Sequence, residues 1–312
     1  MPSIVAIDIG GTQLRAAIYP SNSLIPTNVK RAPTLGLEDG AYDRLTTLID
    51  SVWPKEKIEA VSLAVPGPVN PHKGLVIKTP NIPAWINFPL ADMLAERYKV
   101  PVFLGNDANL AVLGEWRFGV GQGHHNLVYL TISTGIGGGI INNDELVEGA
   151  QGMAAELGHV TVLPGGPVCS CGQRGHLEAV ASGSAIAKYV TEKISEGRES
   201  VLRSRAAFTA REVAEAAQQG DKLSLEAYTR AGQFIGQATA DFLHIFNPSI
   251  VIYGGGVMLS GNLILDPIKE SLHRNVMDQS YLDGLEIATA KLGDDVGLLG
   301  ALAQAQVRLS EH

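Results

Sequence analysis

The 312-residue chain is 45% hydrophobic and 18% charged, and its 24 basic and 32 acidic side chains give a net charge of −8. This length supports a large packed core and favours two domains, while the acidic balance without a basic run disfavours a nucleic-acid surface. The N-terminus carries no basic leader, and no apolar stretch reaches the roughly 18 residues that a membrane span needs. We therefore expect a soluble, cytoplasmic protein that binds neither nucleic acid nor membrane.

Two segments share one pattern, in which an apolar run reaches a glycine turn and continues as a second apolar run. They are SIVAIDIGGTQLRAAIY, beginning at Ser3, and NLVYLTISTGIGGGIIN, beginning at Asn126. Each predicts two strands joined by a tight turn. Their presence in both halves of the chain predicts two similar, duplicated lobes, although strand–glycine–strand patterns also recur by coincidence.

Between and after these segments the pattern alternates between buried strands and helices. AVSLAVPGPV, VPVFLGN and PSIVIYGGGV predict buried strands, and the second leads into a helix that begins near Asn109. Helical patterning dominates from Ala185 to about Phe246, with Thr209 as a predicted N-cap. The tail DDVGLLGALAQAQVRL predicts a final helix rich in small residues.

Three glycine turns are candidates for binding phosphate, because glycine leaves backbone N–H groups sterically open. A single turn of this kind is more simply an ordinary hairpin, but three in one chain favour a shared function. No G-x-x-x-x-G-K-[ST] motif occurs, and no G-x-G-x-x-G opens a helix, so the cradle would be built from hairpins. The candidates are Gly10, Gly11 and Thr12; Thr134 and Gly135 with residues 137–139; and Gly254, Gly255 and Gly256.

Two aspartates follow predicted strands at positions suited to phosphoryl transfer. Asp8 precedes the first glycine turn, where a carboxylate suits Mg²⁺ or, alternatively, hydrogen-bonds its own turn. Asp107 lies at a strand end between Asn106 and Asn109, where it would accept a hydroxyl proton. The same spacing also fits a helix N-cap, and the sequence does not choose between these two interpretations.

The only two cysteines, Cys169 and Cys171, are separated by one residue and are followed by His176. A disulfide across so short a ring would be strained, so this spacing favours a metal site. Nearby, Glu156 and Glu178 would each accept two hydroxyl groups of a sugar. Either glutamate alone is more often a solvated surface residue.

Taken together, these motifs resemble the ROK family of sugar kinases and repressors, and within it the bacterial-type glucokinases. The resemblance covers residues 4 to about 302. It is carried, in chain order, by AIDIGGTQLRAAIY, VPGPV, TPNIPAW, GNDANLAVLGE, STGIGGGII, GAQGMAAELGHV, CSCGQRGHLEAVASG and IYGGGV.

The resemblance implies an α/β protein with the ribonuclease-H-like, actin-type ATPase fold, duplicated as two lobes around a central cleft. Residues 1–109 would form a small N-terminal lobe, on which a C-terminal helix at 297–312 packs back. Residues 110–296 would form the large lobe, with the zinc loop and contacts to sugar and nucleotide. Trp85 and residues 142–149 are further candidates for the cleft wall.

The resemblance also implies a role for each matched residue. Asp107 would be the general base and Asp8 the aspartate associated with Mg²⁺. The sugar would be held by Gly67, Asn81, Asn106, Asp107, Glu156, His159 and Glu178. ATP would be held by Asp8, Gly10, Gly11, Thr12, Thr134, Gly135, Gly254, Gly255 and Gly256.

Two positions depart from the family pattern. Family members bind a structural zinc ion with one histidine and three cysteines, whereas here the set is His159, Cys169, Cys171 and His176. We expect zinc to be kept, since two thiolates and two imidazoles suit it, although His176 would alternatively mark its loss. Gln13 replaces a common lysine, and Arg15 would partly compensate for it.

The implied function is ATP-dependent phosphorylation of the 6-hydroxyl of glucose, with ATP, Mg²⁺ and structural zinc, by a homodimer or homotetramer. Alternative acceptors are N-acetylmannosamine, N-acetylglucosamine, mannose and fructose, and polyphosphate is an alternative donor. A non-catalytic sugar sensor would require loss of Asp8 or Asp107. A repressor would need a helix-turn-helix ahead of Ser3, and we expect none.

Overall fold

The framework consists of strands that build two large sheets and one small sheet. The structure is a computed structural model that describes residues 3–34 and 40–311. Its strands are β1 (Ser3–Ile9), β2 (Gln13–Pro20), β3 (Asn28–Pro33), β4 (Ile58–Val65), β5 (Val69–Asn70), β6 (Leu75–Lys78), β7 (Ile86–Phe88), β8 (Val102–Asn106), β9 (Asn126–Ile132), β10 (Ile136–Asn142), β11 (Glu145–Leu146), β12 (Ile250–Gly254) and β13 (Glu286–Thr289).

Helices cover these sheets and cross between them. They are α1 (Ala41–Val52), α2 (Leu90–Tyr98), α3 (Asp107–Phe118), α4 (Leu177–Ala181), α5 (Gly183–Ser195), α6 (Ala210–Gln218), α7 (Lys222–Phe246), α8 (Asn262–Asn275) and α9 (Val296–Ser310). None of the helices in the described ranges is both long and apolar enough to cross a membrane.

The two large sheets share one plan. The first has the strand order β3-β2-β1-β4-β8 and the second has the order β11-β10-β9-β12-β13. In each, an antiparallel hairpin is extended on one side by two parallel strands. The predicted duplication is therefore confirmed, together with both predicted strand–turn–strand units. The small sheet, β5-β6-β7, adjoins the first.

The predicted helices are confirmed with one correction at a boundary. The helix after β8 begins at Asp107, two residues before the predicted start near Asn109. The predicted helical stretch from Ala185 resolves into α5, α6 and α7. Thr209 caps α6 as predicted, and Glu212 completes a capping box with it.

Two helices, α3 and α9, pack between the large sheets and bury one face of each. The cluster that they form includes Ile4, Ala6, Leu110, Leu113, Leu127, Tyr129, Ile250, Leu298 and Leu302. A Cβ on Gly114 of α3 would lie 3.1 Å from the backbone nitrogen of Gly300 in α9. A Cβ on Gly300 would overlap the carbonyl oxygen of Leu110. The two backbones therefore touch where the helices cross.

Buried polar side chains add hydrogen bonds around this crossing. Gln304 of α9 accepts a hydrogen bond from the Ser62 hydroxyl (2.9 Å) and donates one to the Leu104 carbonyl (2.9 Å), which attaches α9 to the first sheet. Glu115 of α3 accepts hydrogen bonds from the backbone N–H groups of Lys291 and Leu292, both at 2.8 Å. The expected lobe boundary between residues 109 and 110 falls within α3 and stays a prediction.

Replacing Gly300 by alanine tests the crossing. Alanine favours helix by about 1 kcal/mol over glycine, yet the added Cβ would force α3 and α9 apart. We expect Gly300→Ala to lower the free energy of unfolding by about 1 to 3 kcal/mol in denaturant titrations. Gly256→Ala is the matched control, because its Cβ meets nothing within 4 Å. Equal stability of both variants would contradict the close crossing.

Candidate active site

The N-terminus of α3 separates the roles of two neighbouring polar residues. The Oδ1 atom of Asn106 accepts hydrogen bonds from the N–H groups of Ala108 (2.9 Å) and Asn109 (3.1 Å), so Asn106 is the N-cap. The Nδ2 atom of Asn106 donates to the Gly67 carbonyl (3.1 Å). Asp107 is the first helical residue and is not needed as the cap. The sequence left open whether Asp107 is a proton acceptor or a helix cap. The structure assigns the cap to Asn106.

Part of Asp107 is accessible to solvent, but its carboxylate is closely surrounded by protein and lies within reach of the charges of Asp8 and Glu156. The surrounding protein excludes water from this carboxylate and disfavours its charged form, which raises the pKa of Asp107 to about 7. The N–H of Ala108, which donates to Oδ1 at 2.9 Å, opposes this shift, whereas the negative charges of Asp8 and Glu156 add to it. A carboxyl group that titrates near neutrality is well suited to accept a hydroxyl proton.

Asp8, at the end of β1, forms an ion pair with Arg15 on the adjacent strand β2. The Oδ2 atom of Asp8 accepts from Nε (3.0 Å) and Nη2 (2.6 Å) of Arg15. Burial raises the pKa of Asp8, and Arg15 opposes that shift. The sequence predicts that Arg15 partly replaces the lysine that is missing at Gln13. That compensation is limited, because Asp8 already binds the guanidinium of Arg15. Across residues 3–34 and 40–311, no donor is hydrogen-bonded to Oδ1 of Asp8.

The first glycine turn lies beside a residue predicted to hold the sugar. A Cβ added at Gly11 would lie 3.5 Å from Nδ2 of Asn81, so this amide lies next to the turn. Thr34 fixes the turn, since its hydroxyl donates to the Gly10 carbonyl (2.8 Å) and its N–H donates to the Thr12 carbonyl (2.9 Å). The predicted phosphate and sugar contacts therefore adjoin each other here.

The second glycine turn is joined to Glu178. Gly135 packs against the carboxylate of Glu178, and the N–H of Ile136 donates to its Oε2 atom at 3.1 Å. The hydroxyl of Ser170 donates to Oε1 at 2.6 Å. Glu178 thus bridges the turn at Thr134 to the loop that carries both cysteines.

A cavity of about 920 Å³ opens beside this second turn. The N-terminus of α5 borders it, and the N–H of Gly183 donates to the carbonyl of Ser133 (2.8 Å). Gly256 lines the cavity, whereas Gly254 lies against Tyr129 and Gly255 against Ile132. Sequence reasoning missed part of the wall, namely Ser133, Gly183, Ser184, Phe208, Arg211, Glu215 and Leu259.

The four predicted metal ligands converge in one cluster, with donor atoms within 4.8 Å of one another. The Nδ1 atoms of His159 and His176 are 3.3 Å apart. Sγ of Cys169 is 3.5 Å from Nδ1 of His159, and Sγ of Cys171 is 3.3 Å from Nδ1 of His176. A tetrahedral Zn²⁺ with usual bond lengths separates its donors by about 3.3 to 3.8 Å. The residues present therefore fit zinc.

The second ring nitrogen of His159 faces Glu156. Its Nε2 atom lies 3.9 Å from Oε2 of Glu156, while its Nδ1 atom belongs to the metal cluster. Burial raises the pKa of Glu156, the charge of His159 opposes that shift, and Glu178 adds to it. His159 therefore connects the two predicted sites through opposite sides of one ring.

Two further candidates for the cleft wall lie elsewhere. Trp85 is 3% exposed and stacks on Phe88, with ring centroids 5.1 Å apart, so it belongs to the core of the first lobe. Residues 142–149 contribute instead to a separate cavity of about 310 Å³ beside α9. Glu148 forms a bidentate ion pair there with Arg308 of α9, at 2.7 and 2.9 Å.

The paired sheets and the two helices between them define a two-lobed protein of the actin-type ATPase fold. The ROK family profile matches residues 4–308, and the chain belongs to the ROK family. This confirms the resemblance inferred from the motifs.

Individual relatives extend this result. The chain is 38% identical to a glucokinase of Thermotoga maritima over 313 residues, which covers 98% of each protein. It is 33% identical to a xylose repressor of Caldicellulosiruptor bescii, over 96% of this chain and 77% of the repressor. A ROK family glucokinase from Streptomyces griseus, solved with glucose and AMPPNP, is 33% identical and matches with a TM-score of 0.82, over 98% of this chain and 99% of that one.

Proposed function

We propose that this protein is an ATP-dependent kinase that phosphorylates the 6-hydroxyl of glucose. The observation that carries the proposal lies at the start of α3, where Asn106 caps the helix and leaves the carboxylate of Asp107 available in the cleft. The glucokinase relatives support glucose as the acceptor and ATP as the donor. Mannose, fructose and the two N-acetylated hexosamines are the other acceptors to be compared with it.

In the proposed reaction, Asp107 accepts the proton of the sugar hydroxyl as its oxygen attacks the γ-phosphorus of ATP. The position of Asn81 beside Gly11 supports this arrangement, because it places the turn assigned to phosphate next to an amide assigned to the sugar. Open N–H groups of the glycine turns would stabilise the charge of the transferred group. Closure of the two lobes around both ligands would exclude water as a competing acceptor.

The nucleotide is assigned to the cavity beside the second glycine turn. Its volume lies in the range of small-molecule sites, and the second glycine turn and the start of α5 border it. The apolar side chains of Phe208 and Leu259 suit a base, and Leu259 is 90% exposed. Mg²⁺, when bound with ATP, neutralises charge on the phosphates, and the free Oδ1 atom of Asp8 is the group that would hold its hydration shell.

Zinc is assigned a structural role at His159, Cys169, Cys171 and His176. The donor spacing described above supports this assignment. Bound there, the ion would hold the cysteine loop against the segment that carries Glu156. Both Glu156 and Glu178 would then reach the same sugar.

We also propose a cytoplasmic, homodimeric or homotetrameric enzyme with lobes at residues 1–109 and 110–296.

Replacement of the proposed base tests the reaction. We expect Asp107→Asn to lower kcat by about 100-fold or more in a coupled assay of ADP release with glucose and Mg-ATP. The amide keeps the shape of the side chain but cannot accept the proton. Asp43→Asn, on the exposed face of α1, is the control and keeps full activity. Retention of most activity by Asp107→Asn would show that another group is the base.

The pKa of Asp107 predicts the pH dependence. Only the ionised carboxylate accepts a proton, and its population rises with pH through the raised pKa of about 7. We expect kcat/KM for glucose to fall about tenfold per pH unit below that value and to level off above it. Measurements from about pH 5.5 to about pH 8.5 cover both regimes. A profile that stays flat across this range would contradict the raised pKa.

Metal analysis tests the zinc assignment. We expect the protein, purified without added metal, to contain about one zinc per chain by mass spectrometry. His176→Ala should lose this zinc, whereas His176→Cys should keep it because a thiolate replaces the imidazole. His125→Ala, at an exposed histidine outside the cluster, is the control. Less than about half an equivalent in the unmodified protein would reject the assignment.

A further inference from the structure

Arg15 is held from three directions beside the carboxylate of Asp8. Two of its nitrogens donate to Oδ2 of Asp8, at 3.0 and 2.6 Å. Nη2 also donates to the carbonyl of Asp294, and Nη1 lies 3.6 Å from the carboxylate of Asp295. The side chains of Arg15 and Asp8 are only 12% and 15% exposed. The guanidinium therefore occupies a fixed position.

This ion pair lies against the start of α9. A Cβ on Gly297 would come within 2.6 Å of the Asp8 carboxyl carbon, so the carboxylate is confined between β2 and the helix. Asp8 and Arg15 are also direct partners in the β1–β2 register. Since both strands and α9 hold the pair in place, Asp8 does not reach a cation without its positive neighbour nearby.

The charge of Arg15 opposes any divalent cation that approaches Asp8. Two charges interact with an energy that varies inversely with their distance and with the dielectric constant. A unit positive charge about 5 Å from a divalent ion weakens its binding by about tenfold, even at the dielectric constant of water. Because the pair is largely buried, its charge is screened less than in bulk water, which strengthens the effect at a given distance.

We propose that Arg15 is a built-in counter-ion of Asp8 that prevents the site from binding a free divalent cation. The phosphates of a nucleotide add negative charge and carry their own metal ion, so Mg²⁺ enters the site with the nucleotide and not before it. Arg15 thus selects the metal–nucleotide complex over the metal alone. The inference rests on the proposed function only through the assignment of Asp8 to Mg²⁺.

Binding of Mn²⁺, measured by electron paramagnetic resonance without nucleotide or sugar, tests this role. We expect Arg15→Met to bind one Mn²⁺ about tenfold or more tightly than the unmodified protein. Arg15→Lys keeps the positive charge and should stay within about twofold of the unmodified protein. Adding Asp8→Asn to Arg15→Met should abolish the gain, which assigns the new site to Asp8.

Arg31→Met is the matched control, because Arg31 lies opposite Arg15 in the β2–β3 register but is exposed. Its affinity for Mn²⁺ should not change. If Arg15→Met fails to fold, Arg15→Gln removes the same charge and keeps a hydrogen-bond donor. Unchanged or weaker binding of Mn²⁺ to the folded neutral variant would overturn the proposal. The Asp107→Asn assay tests the kinase reaction separately, so either can fail alone.

Discussion

The close crossing of α3 and α9 is the constraint on which the site depends. The two helices meet backbone to backbone at Gly114 and Gly300, between the two large sheets. The first residue of α3 is Asp107, and the first turn of α9 contains Gly297, which lies against Asp8. One contact between helices therefore sets how the two carboxylates lie with respect to each other.

The segment that leads into α9 is held on both sides of this crossing. Glu115, near the end of α3, accepts hydrogen bonds from residues 291 and 292, and Arg15 bonds to the carbonyl of Asp294. The helix that carries Asp107 and the strand opposite Asp8 are thus attached to the same short stretch of chain. This stretch therefore links the elements that position the two carboxylates.

Sequence patterns predicted much of this structure because they act locally. Apolar runs with glycine turns predicted both hairpins, and the C-x-C spacing predicted a metal cluster that the fold assembles. The helix start at Asp107 was missed by two residues, since several polar residues in GNDAN are each able to cap a helix. The role of Trp85 was also missed, because a sequence does not show which side of a loop packs inward.

Motif spacing did not reveal the cavity or the pairing of Asp8 with Arg15. The cavity beside the second glycine turn combines Ser133, Phe208 and Leu259, which come from a turn, a loop and a short helical segment far apart in the chain. The pairing of Asp8 with Arg15 depends on the register of β1 and β2, which motif spacing does not specify. Aligning the two strands of each predicted hairpin and looking for opposite charges at facing positions would have found this pair, but it would not have found the cavity.

Single side chains connect the metal cluster to the two glutamates that are proposed to hold the sugar. His159 directs Nδ1 to the cluster and Nε2 towards Glu156. A metal that fixes the orientation of the ring would therefore also fix the position of Nε2 next to the Glu156 carboxylate. Ser170, between the two cysteines, donates to Glu178, whose other oxygen accepts from the turn after Gly135. Under the proposed zinc assignment, loss of the ion would loosen both glutamates and the adjoining glycine turn, while the proposed base Asp107 would stay in place.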